Sequence, residues 1–128
     1  MYQIERTERF DDWLMRLKDG LGRQRILARL GMLSMGHWGD CKPVGAAVTE
    51  LKINVGPGYR VYCWQNGAAI VIALCGGDKA NQERDIADAQ AMARQLKAKV
   101  AVAAKPARPA KPTITAKSKP KIKRKNPL

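Results

Sequence analysis

The stretch Glu50-Leu51-Lys52-Ile53-Asn54-Val55-Gly56-Pro57-Gly58-Tyr59-Arg60-Val61-Tyr62-Cys63-Trp64-Gln65-Asn66-Gly67 alternates apolar and polar residues around a Gly-Pro-Gly break and closes on Asn-Gly. A period of two is the signature of strands with one buried face, and both breaks are hairpin signals. Asn-Gly suits a two-residue turn, and a loop of three residues ending in glycine is the next commonest connection. The expected register therefore pairs Val55 with Tyr59 and Lys52 with Tyr62 across the first loop. The second turn pairs Trp64 with Ala69 and Arg60 with Ala73. Lys52, Arg60, Tyr62, Glu50 and Trp64 then share one face, and Leu51, Ile53, Val61 and Cys63 the other.

Working outward, a third apolar run, Ala68 to Cys75, ends at Gly76-Gly77-Asp78-Lys79, which reads as a turn that carries Lys79 toward the start of the Tyr59 strand. Upstream the period is 3.6. Phe10, Trp13, Leu14 and Leu17 mark a helix from Thr7 to Asp19-Gly20, and Ile26, Leu27, Leu30 and Leu33 mark a second from Leu21 to Met35. The short connection makes an αα-hairpin. Tyr2 to Glu5 suits a short first strand, and Asp40 to Val44 is either a strand or the start of the next one. A last helix is expected over 81–97, with Glu83, Asp85 and Asp88 early and Arg94 and Lys97 late, as the helix dipole favours. The fold class is α+β, a small antiparallel sheet with an N-terminal αα-hairpin and a C-terminal helix.

The formal charge of +13 is unevenly placed. Residues 98–128 hold ten of the 24 Lys and Arg and no acid, so residues 1–97 keep 14 cations against all 11 acids. A Lys/Pro/Ala tail with almost no large apolar residues cannot offset its ordering entropy, and 98–128 is expected to be disordered. The domain is thus 1–97. Cys41, Cys63 and Cys75 form no CxxC pair and leave an odd thiol, which argues against a zinc ribbon or a disulfide framework. With no membrane-length apolar run, a cytoplasmic location is expected. His37 is the only histidine, so Ser-His-Asp and multi-histidine metal sites lack parts, and no cofactor is called for.

Lys52, Arg60, Tyr62 and Lys79 form the combination that phosphoryl transfer on RNA needs, fixed cations where charge develops on the phosphate and a phenol for proton transfer. Glu50 is a further candidate base, Trp64 could stack on a base and Lys42 could meet a phosphate. The same alternation would also arise on an ordinary solvated sheet face.

The ordered segments Gly39-Asp40-Cys41-Lys42, Val44-Gly45, Glu50-Leu51-Lys52-Ile53, Gly56-Pro57-Gly58-Tyr59-Arg60-Val61-Tyr62 and Cys75-Gly76-Gly77-Asp78-Lys79, followed by Gln82, Asp85 and Ile86, resemble the HigB-like addiction-module killer proteins of the RelE/ParE superfamily. The resemblance covers residues 2 to 97. It implies the toxin of a bacterial type II toxin-antitoxin module, neutralised by a helix-turn-helix antitoxin that can carry the pair to operator DNA. Such toxins usually act as metal-independent endoribonucleases on mRNA at the ribosome. By position, Arg60 matches the family's arginine in the Gly-Tyr-Arg strand and Lys79 its lysine after Gly-Gly-Asp, and both are expected to hold the scissile phosphate, while Lys52 stands where many relatives have arginine and lacks its bidentate fork. Two other readings follow, a ParE-like gyrase inhibitor that acts by binding, and an inactive toxin-like domain recruited as a nucleic-acid-binding accessory. The tail is either a phosphate-binding arm or a neutral extension. Truncation after Lys97 decides between these, because loss of an arm flattens the salt dependence of RNA or DNA binding and loss of a neutral extension leaves it unchanged.

Overall fold

The computed structural model describes residues 1–104, and the expected disorder of the tail concerns residues that lie, from 105 on, outside this range. Residues 1–94 form one compact unit. The elements run β1 (Gln3–Arg6), α1 (Glu8–Arg16), α2 (Gly20–Ser34), β2 (Cys41–Pro43), β3 (Val48–Ile53), β4 (Tyr59–Asn66), β5 (Ile70–Asp78) and α3 (Gln82–Ala104). A 3-10 turn, Lys79–Asn81, joins β5 to α3. Among the described residues no helix is long and apolar enough to cross a membrane.

Both N-terminal helices start on a capping side chain. Thr7 Oγ1 accepts from Phe10 N at 3.0 Å, and Asp19 Oδ1 accepts from Gly22 N at 3.0 Å. The αα-hairpin is therefore real, with Leu17 to Asp19 as its connection. The C-terminal helix runs past its expected end at Lys97 to Ala104. The segment 98–104 contains neither glycine nor proline and is mostly alanine, so nothing local stops the helix there.

The five strands form one sheet in the order β1-β5-β4-β3-β2. It is mixed, which corrects the antiparallel expectation: β1 runs parallel to β5, with Gln3 opposite Ile70 and Arg6 opposite Ala73. Pattern alone could not reveal this, because a four-residue strand carries no signal of the direction of its neighbour.

Both hairpin registers also differ from expectation. Across the first loop Ile53 pairs with Tyr59, Lys52 with Arg60 and Glu50 with Tyr62. The connection is five residues long, with positive φ at Gly56 (56°) and Gly58 (82°) on either side of Pro57. Because the slip is two residues, every side chain keeps its face. Across the second loop Asn66 pairs with Ile70, leaving Gly67 to Ala69 as the turn. Cys63 pairs with Ala73 but Tyr62 with Cys75, so Leu74 is an extra residue on β5, a β-bulge. Beyond it Arg60 lies opposite Gly77 and Tyr59 opposite Asp78. Gly76-Gly77-Asp78 is thus the end of a strand and not a turn, a second correction. Thr7 ties the bulge down, its Oγ1 donating to Leu74 O at 2.6 Å.

One face of the sheet packs on α1 and α2 through Phe10, Leu14, Ile26, Leu30 and Leu33 against Leu51, Ile53, Val61, Cys63 and Val71. The other face meets residues 82–94 of α3. Gln82 Nε2 donates to Glu50 Oε2 at 2.8 Å, Gln90 Nε2 to Val44 O at 2.6 Å, and Ala89 and Ala93 are buried. Small residues at these positions let the helix lie close to the sheet.

Asp19 links the cap of α2 to the core face, since its Oδ2 also accepts from Tyr59 Oη at 2.9 Å. The Gly22 amide first, and Tyr59 second, hold its carboxyl below the ordinary aspartate range. A depressed carboxyl adds stability that is present above its unfolded pKa and lost as pH falls through the folded one. Asp19→Ala is therefore expected to lower the melting temperature at pH 7, with the gap to wild type closing below about pH 4, the unperturbed aspartate range, as followed by thermal denaturation at stepped pH.

Candidate phosphate-binding groove

The row Lys52, Arg60, Gly77 crosses the sheet at its open end, where the five-residue loop and the 3-10 turn meet. An open groove of about 360 Å³ lies there, walled by Lys52, Arg60 and Lys79 with the Asn54 to Gly58 loop as its rim. A smaller cavity of about 160 Å³ adjoins it and shares Lys52 and Arg60, adding Asp40, Lys42 and Glu50. Four of the residues singled out from sequence, Lys52, Arg60, Lys79 and Glu50, are thus brought together around two contiguous hollows, with Lys42 at the far side.

Arg60 is the central group. Only 5% of it is exposed, its Nη1 donates to Gly58 O at 2.8 Å, and its Nε has no partner. Among the described residues it makes no ion pair. A buried guanidinium without a carboxylate is costly unless an anion completes its hydrogen bonds. Lys52 and Lys79 are exposed and free to move onto such an anion. Asp78 shapes the approach by capping the 3-10 turn, its Oδ1 accepting from Ala80 N at 3.1 Å, which fixes where Lys79 leaves the sheet.

Glu50 is 2% exposed and is held from two sides, by Gln82 at 2.8 Å and by Lys42 Nζ at 3.9 Å. Lys42 is thus engaged with a carboxylate as well as lining the smaller cavity. Tyr62 and Trp64 are not part of the groove. Both are buried on the α3 face, Tyr62 completely, so the expectation that Tyr62 transfers a proton and that Trp64 stacks on RNA is corrected. Burial first, then the neighbouring Glu50, pushes the Tyr62 phenol further above its ordinary value, the wrong direction for a base near neutral pH. Covering by α3 is the cause, because a strand position that alternation alone assigns to solvent is dry once a helix lies over it.

Three further groups carry the site although their roles are not legible in sequence. Arg29 of α2 donates to Lys52 O at 2.5 Å, Trp38 O at 2.9 Å and Asp40 O at 3.1 Å, anchoring the backbone under the groove. Gln82 orients Glu50. Asp85 sits on α3 against Gly77, so that a Cβ at 77 would collide with its carboxylate. The three thiols are free, and burial pushes those of Cys63 and Cys75 up to about 12, which leaves neither a nucleophile at neutral pH.

These features define a small α+β protein with a mixed sheet between two helical layers and a cationic groove at one sheet end. No protein-family model matches the chain. It is 44% identical over 94 residues to an uncharacterized protein of Haemophilus influenzae strain Rd, a match spanning 73% of this chain and 95% of that protein, and it belongs to the same family as that protein.

Asp85 gives a stability test. Desolvation is the largest influence on its carboxyl and raises it above the ordinary range, against the opposing pull of Arg84 and Arg9 and with the added push of Asp88 and Asp78. Tyr62 and Cys75 also lie within its field. A raised acid favours the fold below its unfolded pKa, and that contribution is lost as pH rises through the folded value. Asp85→Asn is accordingly expected to melt at or above the wild-type temperature at pH 7, and the advantage should vanish near pH 3.

Proposed function

We propose that this protein is the toxin of a type II toxin-antitoxin module, a RelE/ParE-like endoribonuclease that cleaves translated mRNA at the ribosome and is neutralised by a helix-turn-helix antitoxin. The observation that carries the reading is the buried Arg60 guanidinium, without an ion pair among the described residues, facing a groove flanked by Lys52 and Lys79. That arrangement fits a phosphodiester better than a neutral ligand, and the sequence resemblance supplies the substrate class.

In the reading, Arg60 and Lys79 hold the non-bridging oxygens of the scissile phosphate. Glu50, in the adjoining smaller cavity, accepts the proton of the ribose 2′-hydroxyl as that oxygen attacks phosphorus. The P–O5′ bond breaks, and the Lys52 ammonium donates a proton to the departing oxygen. The products are a 2′,3′-cyclic phosphate and a free 5′-hydroxyl. Gln82 and Lys42 keep Glu50 turned toward the reacting atoms. Cations preorganised where charge develops supply most of the acceleration, and the proton transfers add about 10²–10⁴-fold.

Cleavage of end-labelled mRNA by purified protein on translating ribosomes tests this. Arg60→Lys and Lys79→Ala should each slow cleavage by about 10²–10³-fold with circular dichroism unchanged, and Glu50→Gln should slow it by about 10²–10⁴-fold. Cleavage at the wild-type rate in these variants would overturn the assignment. Stalling of gyrase on supercoiled DNA with no mRNA cleavage would replace it with the binding-only alternative.

A further inference from the structure

Helix α2 carries apolar side chains on two sides, and the domain uses one of them. Gly22, Ile26, Leu30 and Leu33 are buried on the side that faces the sheet. Leu21, Arg25, Ala28, Met32 and Met35, the residue that ends the helix, form a second line at steps of four, three, four and three, so they share the opposite side. All five are exposed, Leu21 at 53%, Met32 at 49% and Met35 at 59%. The neighbouring helix α1 instead turns Glu8, Arg9, Asp12 and Arg16 to solvent. A helix that is apolar on both sides belongs between two partners, and the sheet is only one.

Three residues of this line, Arg25, Ala28 and Met32, also wall a hollow of about 270 Å³ between α2 and the end of β3, where Ile53 joins them. Its lining is chiefly apolar, but three cations, Arg25, Arg29 and Lys52, stand there against one acid, Asp40. Asp40 is engaged, its Oδ2 accepting from Asn54 Nδ2 at 3.3 Å, and Arg29 is spent on the backbone carbonyls of Lys52, Trp38 and Asp40. Arg25 and Lys52 are exposed and make no ion pair among the described residues. The helix itself holds three arginines and neither aspartate nor glutamate. An apolar side rimmed by unmatched cations calls for an apolar partner that brings carboxylates.

We propose that the outer side of α2 docks an amphipathic helix of a partner protein, one whose apolar stripe is flanked by aspartate and glutamate. The stripe packs along Leu21, Ala28, Met32 and Met35, the anchor spacing by which a helix is recognised by another surface. Ala28 is small, so the two backbones can approach closely at the centre. One apolar side chain of the partner enters the hollow beside Met32, and its carboxylates meet Arg25 and Lys52. A second copy of this chain fits less well, because α2 against α2 sets arginines together with no acid on either helix. A concave, apolar lining also suits an inserted side chain better than a flat bilayer surface or a phosphate. The proposal goes beyond the ribonuclease reading and does not depend on it.

Two synthetic peptides of about 20 residues, long enough to form a helix in isolation, test this by titration against the full chain. Both carry the same leucine stripe at heptad spacing, flanked by glutamate in one and by lysine in the other. The glutamate peptide should bind at least about 10-fold tighter, since attraction at two cations becomes repulsion in its counterpart. Met32→Glu should weaken that peptide at least about 10-fold by setting a carboxylate against the leucines. Leu27→Glu adds the same charge to the exposed surface of the same helix but off this line, and should change affinity by less than about 2-fold; the pair separates docking from general attraction to a basic chain. In the wild-type protein, amide shifts should centre on Leu21, Ala28, Met32 and Ile53, a readout independent of any variant. Equal affinities for the two peptides, equal losses in the two variants, shifts centred elsewhere, dimerisation that Met32→Glu abolishes, or Met32-dependent binding of phosphatidylserine vesicles in preference to the glutamate peptide would overturn it. Arg60→Lys should leave peptide binding unchanged, so this proposal and the ribonuclease reading fail separately.

Discussion

The hydrogen-bond ladder that ties β4 to both its neighbours sets Lys52, Arg60 and Gly77 in one row, and the groove exists because of that row. On the β5 side the alignment depends on one inserted residue. With Leu74 bulged, the strand beyond it shifts against β4, Gly77 comes opposite Arg60, and Lys79 emerges beside the loop that follows β3. Removing the bulge would turn the end of β5 over, since a one-residue slip exchanges the two faces of a strand. Thr7 therefore acts at a distance from the site: the hydroxyl that starts α1 also grips the carbonyl of the bulged residue.

The two glycines at the end of β5 reflect the same constraint. Gly76 has Trp13 packed on one side of the strand, and Gly77 has Asp85 packed on the other. Side chains there would separate α1 and α3 from the sheet edge and close the space between them. Their absence lets the indole and the carboxylate each lie directly on the strand backbone, at the cost of a weaker strand interior.

Burial divides the polar face into two parts with different chemistry. Toward the helix, Tyr62 and Trp64 lie under residues 82–94 of α3 and contribute packing. Toward the open end, Arg60 is buried in side-chain contacts yet borders the groove, and Lys52 and Lys79 remain in solvent. Glu50 stands at the boundary, buried and hydrogen-bonded but lining the smaller cavity. Desolvating a charge on one side only strengthens its field toward the other, which suits groups meant to act on a ligand that arrives from solvent.

The amino-acid sequence by itself determined the helical hairpin, the existence of three consecutive strands, and the face shared by Glu50, Lys52, Arg60, Tyr62 and Trp64. Those properties follow from local periodicity and turn residues, and a register difference of two residues at Gly56-Pro57-Gly58 left them intact. Only the tertiary structure decided the parallel pairing of β1, the bulge at Leu74, and which members of the polar face stay accessible. Each of these depends on what lies opposite or above a residue in space: a neighbouring strand, the grip of Thr7, or the alanine-rich surface of α3 over Tyr62 and Trp64. Alternation can place a side chain on a face, but whether that face is wet is settled by the element packed upon it.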